Sequence, residues 1–215
     1  LPLVSCTSNV TALSVFLAIT LTPFFQVLTD TSISLLDSFE VIALDDGSTD
    51  ATANEIKAFP SVKLASGERL PDKWLGKLWA CQQLAEKSSG DYLVFIDADV
   101  RLSDYAVANS ISKMGKWDFI SPYPRQLTSG FVQKIFQPLL QWSWLASVPL
   151  LIAQKYSIKS MAVANGQFLI IKRDAYFQSG AHAGIKSEVL DDLMLARRLL
   201  KQGFKHLVVL SQSIF

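Results

Sequence analysis

Cysteine is almost missing from this chain: Cys6 and Cys81 are the two among 215 residues. Neither lies in a Cys-x-x-Cys or Cys/His pattern, so a disulfide framework and a structural zinc site are not expected. A reducing setting is the default, which means the cytoplasm or the cytoplasmic face of a membrane. Charge of one sign is missing as well. Twenty basic residues against 19 acidic ones leave a formal net charge of +1, so net charge gives no support for nucleic-acid binding. A small or lipid-like partner suits this balance better.

The opening stretch lacks charged side chains altogether, with Asp30 the first. Residues 10 to 28 are mostly apolar, which leaves a membrane span or a buried segment open. No Lys or Arg flanks that run to orient a span, and Pro23 would kink a spanning helix. The absence of a basic start argues against a signal peptide.

What is present is an alternation of short β-rich runs with helical stretches, and half of the residues are hydrophobic. Such a chain can bury one sizeable core, and the pattern is that of a single α/β domain. Strands are expected at 39–44, 62–65, 92–96, 119–121, 168–172 and 206–210. Helices are expected at 51–58, 76–87, 103–114 and 191–202. Residues 131–156 stand apart, with Phe131, Phe136, Trp142 and Trp144, a leucine-rich stretch, and Lys134 and Lys155 as the charges. That composition fits a membrane interface or apolar ligand groove, or else an ordinary core helix punctuated by prolines.

Two apolar strands end in acids. Phe39-Glu-Val-Ile-Ala-Leu leads into Asp45-Asp46-Gly-Ser-Thr-Asp50, and Tyr92-Leu-Val-Phe-Ile leads into Asp97-Ala-Asp99. Crowded carboxylates at strand ends repel one another, so a fold keeps them where a cation, a ribose or donor-rich backbone compensates. The first pair sits in a strand-to-helix loop, beyond the carboxyl ends of strands, where open α/β sheets bind ligands. Asp97 and Asp99, two residues apart on a strand end, share a face, and oxygen ligands of this kind suit Mg²⁺ or Mn²⁺. An isolated strand-end turn is the plain alternative for that motif. Lys77, in Trp74-Leu-Gly-Lys-Leu-Trp-Ala80, is either a solvated cation or a partner for diphosphate. Asp191 and Asp192 open the last helix, where acids complement the dipole. They follow a glycine-punctuated stretch with Asn165, Gly166, Gln167 and His182, which marks an acceptor region. One aspartate there can serve as general base toward a hydroxyl, with His182 as a second candidate.

This ordered set (Asp-Asp-Gly-Ser-Thr-Asp, Gly-Lys-x-Trp-Ala, Phe-Ile-Asp-Ala-Asp, Asn-Gly-Gln-Phe, and Asp-Asp in place of Glu-Asp) resembles family 2 glycosyltransferases of the GT-A fold. Within them it is most like the subgroup that includes hopanoid-associated and carotenoid glycosyltransferases. The likeness runs from about Asp37 to Gly203. It implies a Rossmann-like, mixed but mostly parallel sheet flanked by helices, with an irregular N-terminal segment. It also implies a hexosyltransferase-like, inverting enzyme that takes a nucleotide-diphosphate sugar, a UDP-sugar first among these, with Mg²⁺ or Mn²⁺. The acceptor would be a hydroxyl, with a lipid and a membrane surface among the partners to test. By matched position Asp46, with Asp45 beside it, would contact uracil or ribose, and Lys77 the diphosphate. Asp97 would hold ribose or metal, Asp99 would be the metal ligand, and Asp192 would be the base. Asp191 stands where the family usually has glutamate.

The front departs from that pattern. Leu1-Pro-Leu-Val-Ser5 begins like the family's first strand, Cys6 onward does not, and likeness returns near Phe39, as from a shifted reading frame or a diverged insertion. The chain is expected to be one domain, residues 1–215, and a fragment, with 1–37 its atypical part. A degenerate non-catalytic form of the fold and a receiver-type signalling module are the alternatives.

Overall fold

The computed structural model describes residues 16–21, 39–60, 62–97, 106–123, 130–147 and 164–210. Seven strands form one sheet: β1 (Phe16–Leu21), β2 (Phe39–Asp45), β3 (Val62–Ser66), β4 (Tyr92–Ile96), β5 (Phe119–Tyr123), β6 (Phe168–Lys172) and β7 (His206–Leu210), in the order β3-β2-β1-β4-β6-β5-β7. Strand β1 runs against both of its neighbours, β2 and β4. Strand β6 likewise runs against β4 and β5. The pairings β2 with β3 and β5 with β7 are parallel. It follows that β2, β3, β4, β5 and β7 share a direction, and their carboxyl ends lie along one edge. The sheet is mixed, as the motifs implied: five of its seven strands share a direction, while four of its six neighbour pairings are antiparallel.

The helices are α1 (Thr52–Lys57), α2 (Gly76–Lys87), α3 (Ala106–Met114), α4 (Phe131–Ser147), α5 (Arg173–Gln178) and α6 (Asp191–Lys201), with a short 3-10 helix at His182–Ile185. Helices α2, α5 and α6 cover one face of the sheet and α3 the other, which the alternation along β4 makes plain. Leu93 and Phe95 pack with Leu78 and Cys81 of α2, Tyr176 of α5 and Leu195 and Leu199 of α6. Val94 and Ile96 pack with Ile111 and Met114 of α3 on the opposite face. All four β4 residues are buried, as a strand sandwiched between helices requires. On β2, Ile42 and Leu44 pack with Ala80 and Leu84 of α2, so α2 spans from β2 to β4.

The apolar run at 10–28, left open between a span and a buried segment, contributes a central strand. Residues Phe16–Leu21 fill the gap between β2 and β4 and pair with both. The resemblance places a first strand centrally too, and here that position is filled by residues from the atypical segment, antiparallel to their neighbours. Among the described residues no helix is long and apolar enough to cross a membrane.

Candidate active site

Side-chain parity explains why acids remote in sequence meet. Asp46 continues the parity of Ile42 and Leu44, and Asp97 that of Leu93 and Phe95, so both aim at the face that α2 covers. The first turn of α2 lies between them. A Cβ built on Gly76 would sit 3.9 Å from Asp46 Oδ2, and the next residue, Lys77, reaches Asp97 Oδ1 at 3.5 Å and Asp191 Oδ2 at 3.2 Å. Asp191 comes from the first turn of α6 on the same face. Burial by itself would lower the Lys77 pKa, but Asp191 and then Asp97 outweigh it and hold the ammonium above its ordinary range.

Asp192, the next residue of α6, is fixed by backbone donors. Its Oδ2 accepts the Gly166 N–H at 2.9 Å and its Oδ1 the Leu193 N–H at 2.6 Å. A side chain at Gly166 would stand 3.5 Å from both Asp192 Cβ and Lys77 Nζ, so this glycine forms the floor between base candidate and cation. The turn carrying it is anchored at both ends. Asn165 N–H donates to Ser121 Oγ at 2.6 Å, and Asp97 N–H donates to the Gln167 carbonyl at 3.1 Å. Asn165 Oδ1 accepts the Gln167 N–H at 2.9 Å. Lys77, Asp97, Gly166, His182, Asp191 and Asp192 line one cleft, with Cys81, Phe95 and Leu195 beneath.

Asp46 borders that cleft through Gly76 rather than lining it. Its carboxylate rests over Gly67, where an added Cβ would come within 2.8 Å of Oδ1. Burial first, and neighbouring Asp45 second, push the Asp46 carboxyl up. Asp45 instead closes the turn, its Oδ1 accepting the Ser48 N–H at 2.9 Å, while Gly47 supplies a φ of 82°. The Asp45 carbonyl accepts the Gly67 N–H at 2.8 Å, tying β2 to the end of β3.

His182 is buried in the cleft wall, its Nδ1 2.7 Å from the Tyr176 hydroxyl. Burial lowers its pKa to about 4, so the ring is neutral near neutrality and serves as a wall group. Asn165 and Gln167 shape the turn under Gly166 and do not themselves line the cleft. Asp99 lies outside the described residues. Sequence reasoning passed over Gly67, Tyr176 and Ser121. The glycine just past β3 was a usable signal, whereas nothing local marked the tyrosine or the serine.

Among the described residues no group of three or more His, Cys, Asp or Glu side chains converges on one point. The donor chemistry still fits a hard divalent cation, because Mg²⁺ takes one or two protein carboxylates and completes its shell with phosphate and water. Asp97 and Asp191, which both approach the Lys77 ammonium, show that carboxylate oxygens gather on positive charge here.

An α/β sheet with acids on the strand-carboxyl edge, next to a cation at a helix start, has the ligand-site arrangement of open α/β folds. The profile of glycosyl transferase family 2 matches residues 25–193, and the chain belongs to that family. Similar curated proteins are the 4,4'-diaponeurosporenoate glycosyltransferases of Staphylococcus aureus. The protein from strain MRSA252 is 22% identical over 168 residues, which is 76% of this chain and 44% of that protein. The one from strain USA300 is 23% identical over the same extent. The chain thus spans less than half the length of these relatives.

Proposed function

We propose that this chain is the donor-binding and catalytic core of an inverting glycosyltransferase that moves a sugar from a nucleotide-diphosphate donor, a UDP-sugar, to a hydroxyl on a lipid-like acceptor. The observation that carries the reading is the meeting of Lys77, Asp97, Asp191 and Asp192 in one cleft at the start of α2, with Asp46 on its border. The positive end of α2 and the Lys77 ammonium suit a diphosphate. Asp46 suits uracil or ribose, since an acceptor oxygen there can take their N–H or O–H donors.

Asp192 is the base. Backbone donors orient both of its oxygens, and each oxygen keeps a further lone pair for an incoming proton. The acceptor oxygen attacks the anomeric carbon, the bond from that carbon to the diphosphate oxygen breaks, and the hydroxyl proton passes to Asp192. Asp191 holds Lys77 in place against the diphosphate. We assign Asp97 and Asp99 to Mg²⁺ or Mn²⁺, which when bound offsets negative charge on the leaving diphosphate. Support for a lipid-like acceptor comes from the relatives named for diaponeurosporenoate and from the exposed apolar side chains of α4. The same features support a reaction at a membrane surface, and the near absence of cysteine supports its cytoplasmic face.

A screen of donor hydrolysis over several nucleotide sugars, with and without Mn²⁺, tests this. Cation-dependent release of UDP from one donor is expected. Release from none of them, with no donor bound, would remove the proposal. The antiparallel β1 favours one second reading, a non-catalytic member of the fold, and binding without turnover is the outcome that identifies it.

A further inference from the structure

The cleft wall holds a polar side chain that the proposed chemistry does not use. His182, first residue of the 3-10 helix, is buried against Phe95 of β4 and Tyr176 of α5, with ring centroids 5.3 Å and 5.5 Å away. An imidazole in such surroundings is costly unless its nitrogens find partners. Nδ1 has one, at 2.7 Å from the Tyr176 hydroxyl. Among the described residues Nε2 has no protein partner, yet it is not sealed in the interior as the orphaned His206 Nδ1 is. It therefore opens on the cleft that His182 lines with Lys77, Asp191 and Asp192.

Tyr176 sets the tautomer of that ring. The tyrosine is fully buried, and its hydroxyl oxygen already accepts the His182 backbone N–H at 3.4 Å. Its one proton goes to Nδ1, because a ring proton on Nδ1 would leave the buried hydroxyl proton without an acceptor. The ring proton is thus on Nε2, at the cleft. A nitrogen that already carries its proton takes none from an acceptor hydroxyl, so Asp192 stays the base and His182 is left as a donor. Strained backbone holds it there. Ala181 has φ 52° and ψ −156°, a conformation normally left to glycine. The turn is locked from outside, by Gln82 Oε1 accepting the Ala183 N–H at 3.1 Å and by Arg198 donating to the Ser179 and Gly184 carbonyls. A Cβ at Gly180 or Gly184 would come within 2.9 Å of that guanidinium.

Position and charge say what this donor meets. With Asp46 at the nucleoside end and Lys77 on the diphosphate, the transferred sugar lies between Lys77 and Asp192. Lys77 and Asp191 both act electrostatically on the His182 ring, which puts it beside that space. A neutral N–H matches a hydroxyl oxygen, whereas the diphosphate is served by the ammonium. We infer that His182 Nε2–H donates to a hydroxyl oxygen of the transferred sugar and helps decide which sugar the chain accepts. A sugar with no oxygen at that place leaves the buried donor unpaired, and this is the arrangement that discriminates strongly. The inference deepens the transferase reading and rests on it for the direction in which the donor lies.

Calorimetry of the full chain with Mn²⁺ is the test, using UDP alone and then UDP-glucose, UDP-galactose and UDP-N-acetylglucosamine. One of the three should bind tighter than UDP. His182→Phe combined with Tyr176→Phe removes both polar partners while keeping the rings, and thermal melts check that the pair folds. It should weaken binding of that UDP-sugar about tenfold while UDP affinity stays within about twofold. His182→Gln, which returns an amide N–H, should recover part of the loss. A second measurement leaves the wall untouched. The chain has two histidines, so nitrogen NMR of labelled histidine, compared with His206→Phe, isolates the His182 ring. Its proton should sit on Nε2, and that nitrogen should shift with the UDP-sugar and not with UDP. A proton on Nδ1, equal loss of UDP and UDP-sugar affinity, UDP-sugar affinity unchanged in the double variant, or sugars that bind no tighter than UDP would overturn the inference and leave the transferase reading standing. Binding of no nucleotide at all would remove both.

Discussion

Replacing Asp192 by asparagine separates the chemistry of this residue from its structural duty. Both carboxylate oxygens accept backbone N–H groups, from Gly166 at 2.9 Å and from Leu193 at 2.6 Å. Asparagine keeps one acceptor oxygen and turns an NH₂ toward the other donor. One charge-assisted bond is lost and one N–H faces a donor, which costs roughly 1.5 to 3 kcal/mol. For a domain of this size the melting temperature should fall by roughly 3 to 12 °C. Loss of the base should reduce transfer by about 10² to 10⁴-fold, while donor affinity should stay within about threefold, because the donor is held by other groups. Calorimetry, thermal melts and turnover on one preparation read all three effects. Wild-type turnover would remove Asp192 as the base, and an unchanged melting temperature would refute the two-donor geometry.

Gly67→Ala should displace the Asp46 carboxylate, since its Cβ would meet Oδ1 at 2.8 Å and the Asp46 Cα at 3.1 Å. A loss of stability of roughly 1 to 3 kcal/mol and weaker donor binding are expected. Gly76→Ala, with its nearest contact at 3.9 Å, should be close to neutral, and calorimetric donor titrations of the two variants should differ accordingly. Lys77→Met leaves Asp97 and Asp191 without their shared cation, and donor titration should show affinity falling about tenfold or more, with Lys77→Arg restoring part of it. Acid should destabilise the fold through two buried histidines, because burial lowers His182 and His206 from 6.5 to about 4. The unfolded chain takes up protons first, so stability present above pH 6.5 is lost as pH falls toward about 4, by roughly 2 to 3 kcal/mol per histidine. Urea unfolding at neutral and acidic pH measures it, and a His206→Phe variant should lose about half the slope.

Much of the fold was legible because its strands are short apolar runs between turn signals, and Tyr92–Ile96 was read to the residue. Strand β1 was not legible. A central strand paired on both sides reads as a continuous apolar run, and periodicity cannot tell such a run from a helix or a span. The site residues were legible by type and position, as acids at strand ends and at a helix start. Their convergence was not, because it depends on α2 crossing from β2 to β4 and on α6 packing beside it. The Lys77–Asp191 and Gly166–Asp192 contacts join elements remote along the chain, and no local pattern encodes them. Exposure of the aromatic segment was likewise open in sequence; in α4, Phe131, Phe136 and Trp142 are exposed.

The central claim is that acids at separate strand and helix ends form one receptor for a cation-bridged nucleotide diphosphate. Titration calorimetry of a UDP-sugar into the chain, with Mn²⁺ and with chelator, tests it most directly, alongside Asp97→Asn and Asp46→Asn. Saturable binding that requires Mn²⁺ and is weakened by both substitutions is the predicted result. Absence of binding in every condition, or binding indifferent to cation and to both aspartates, would contradict it.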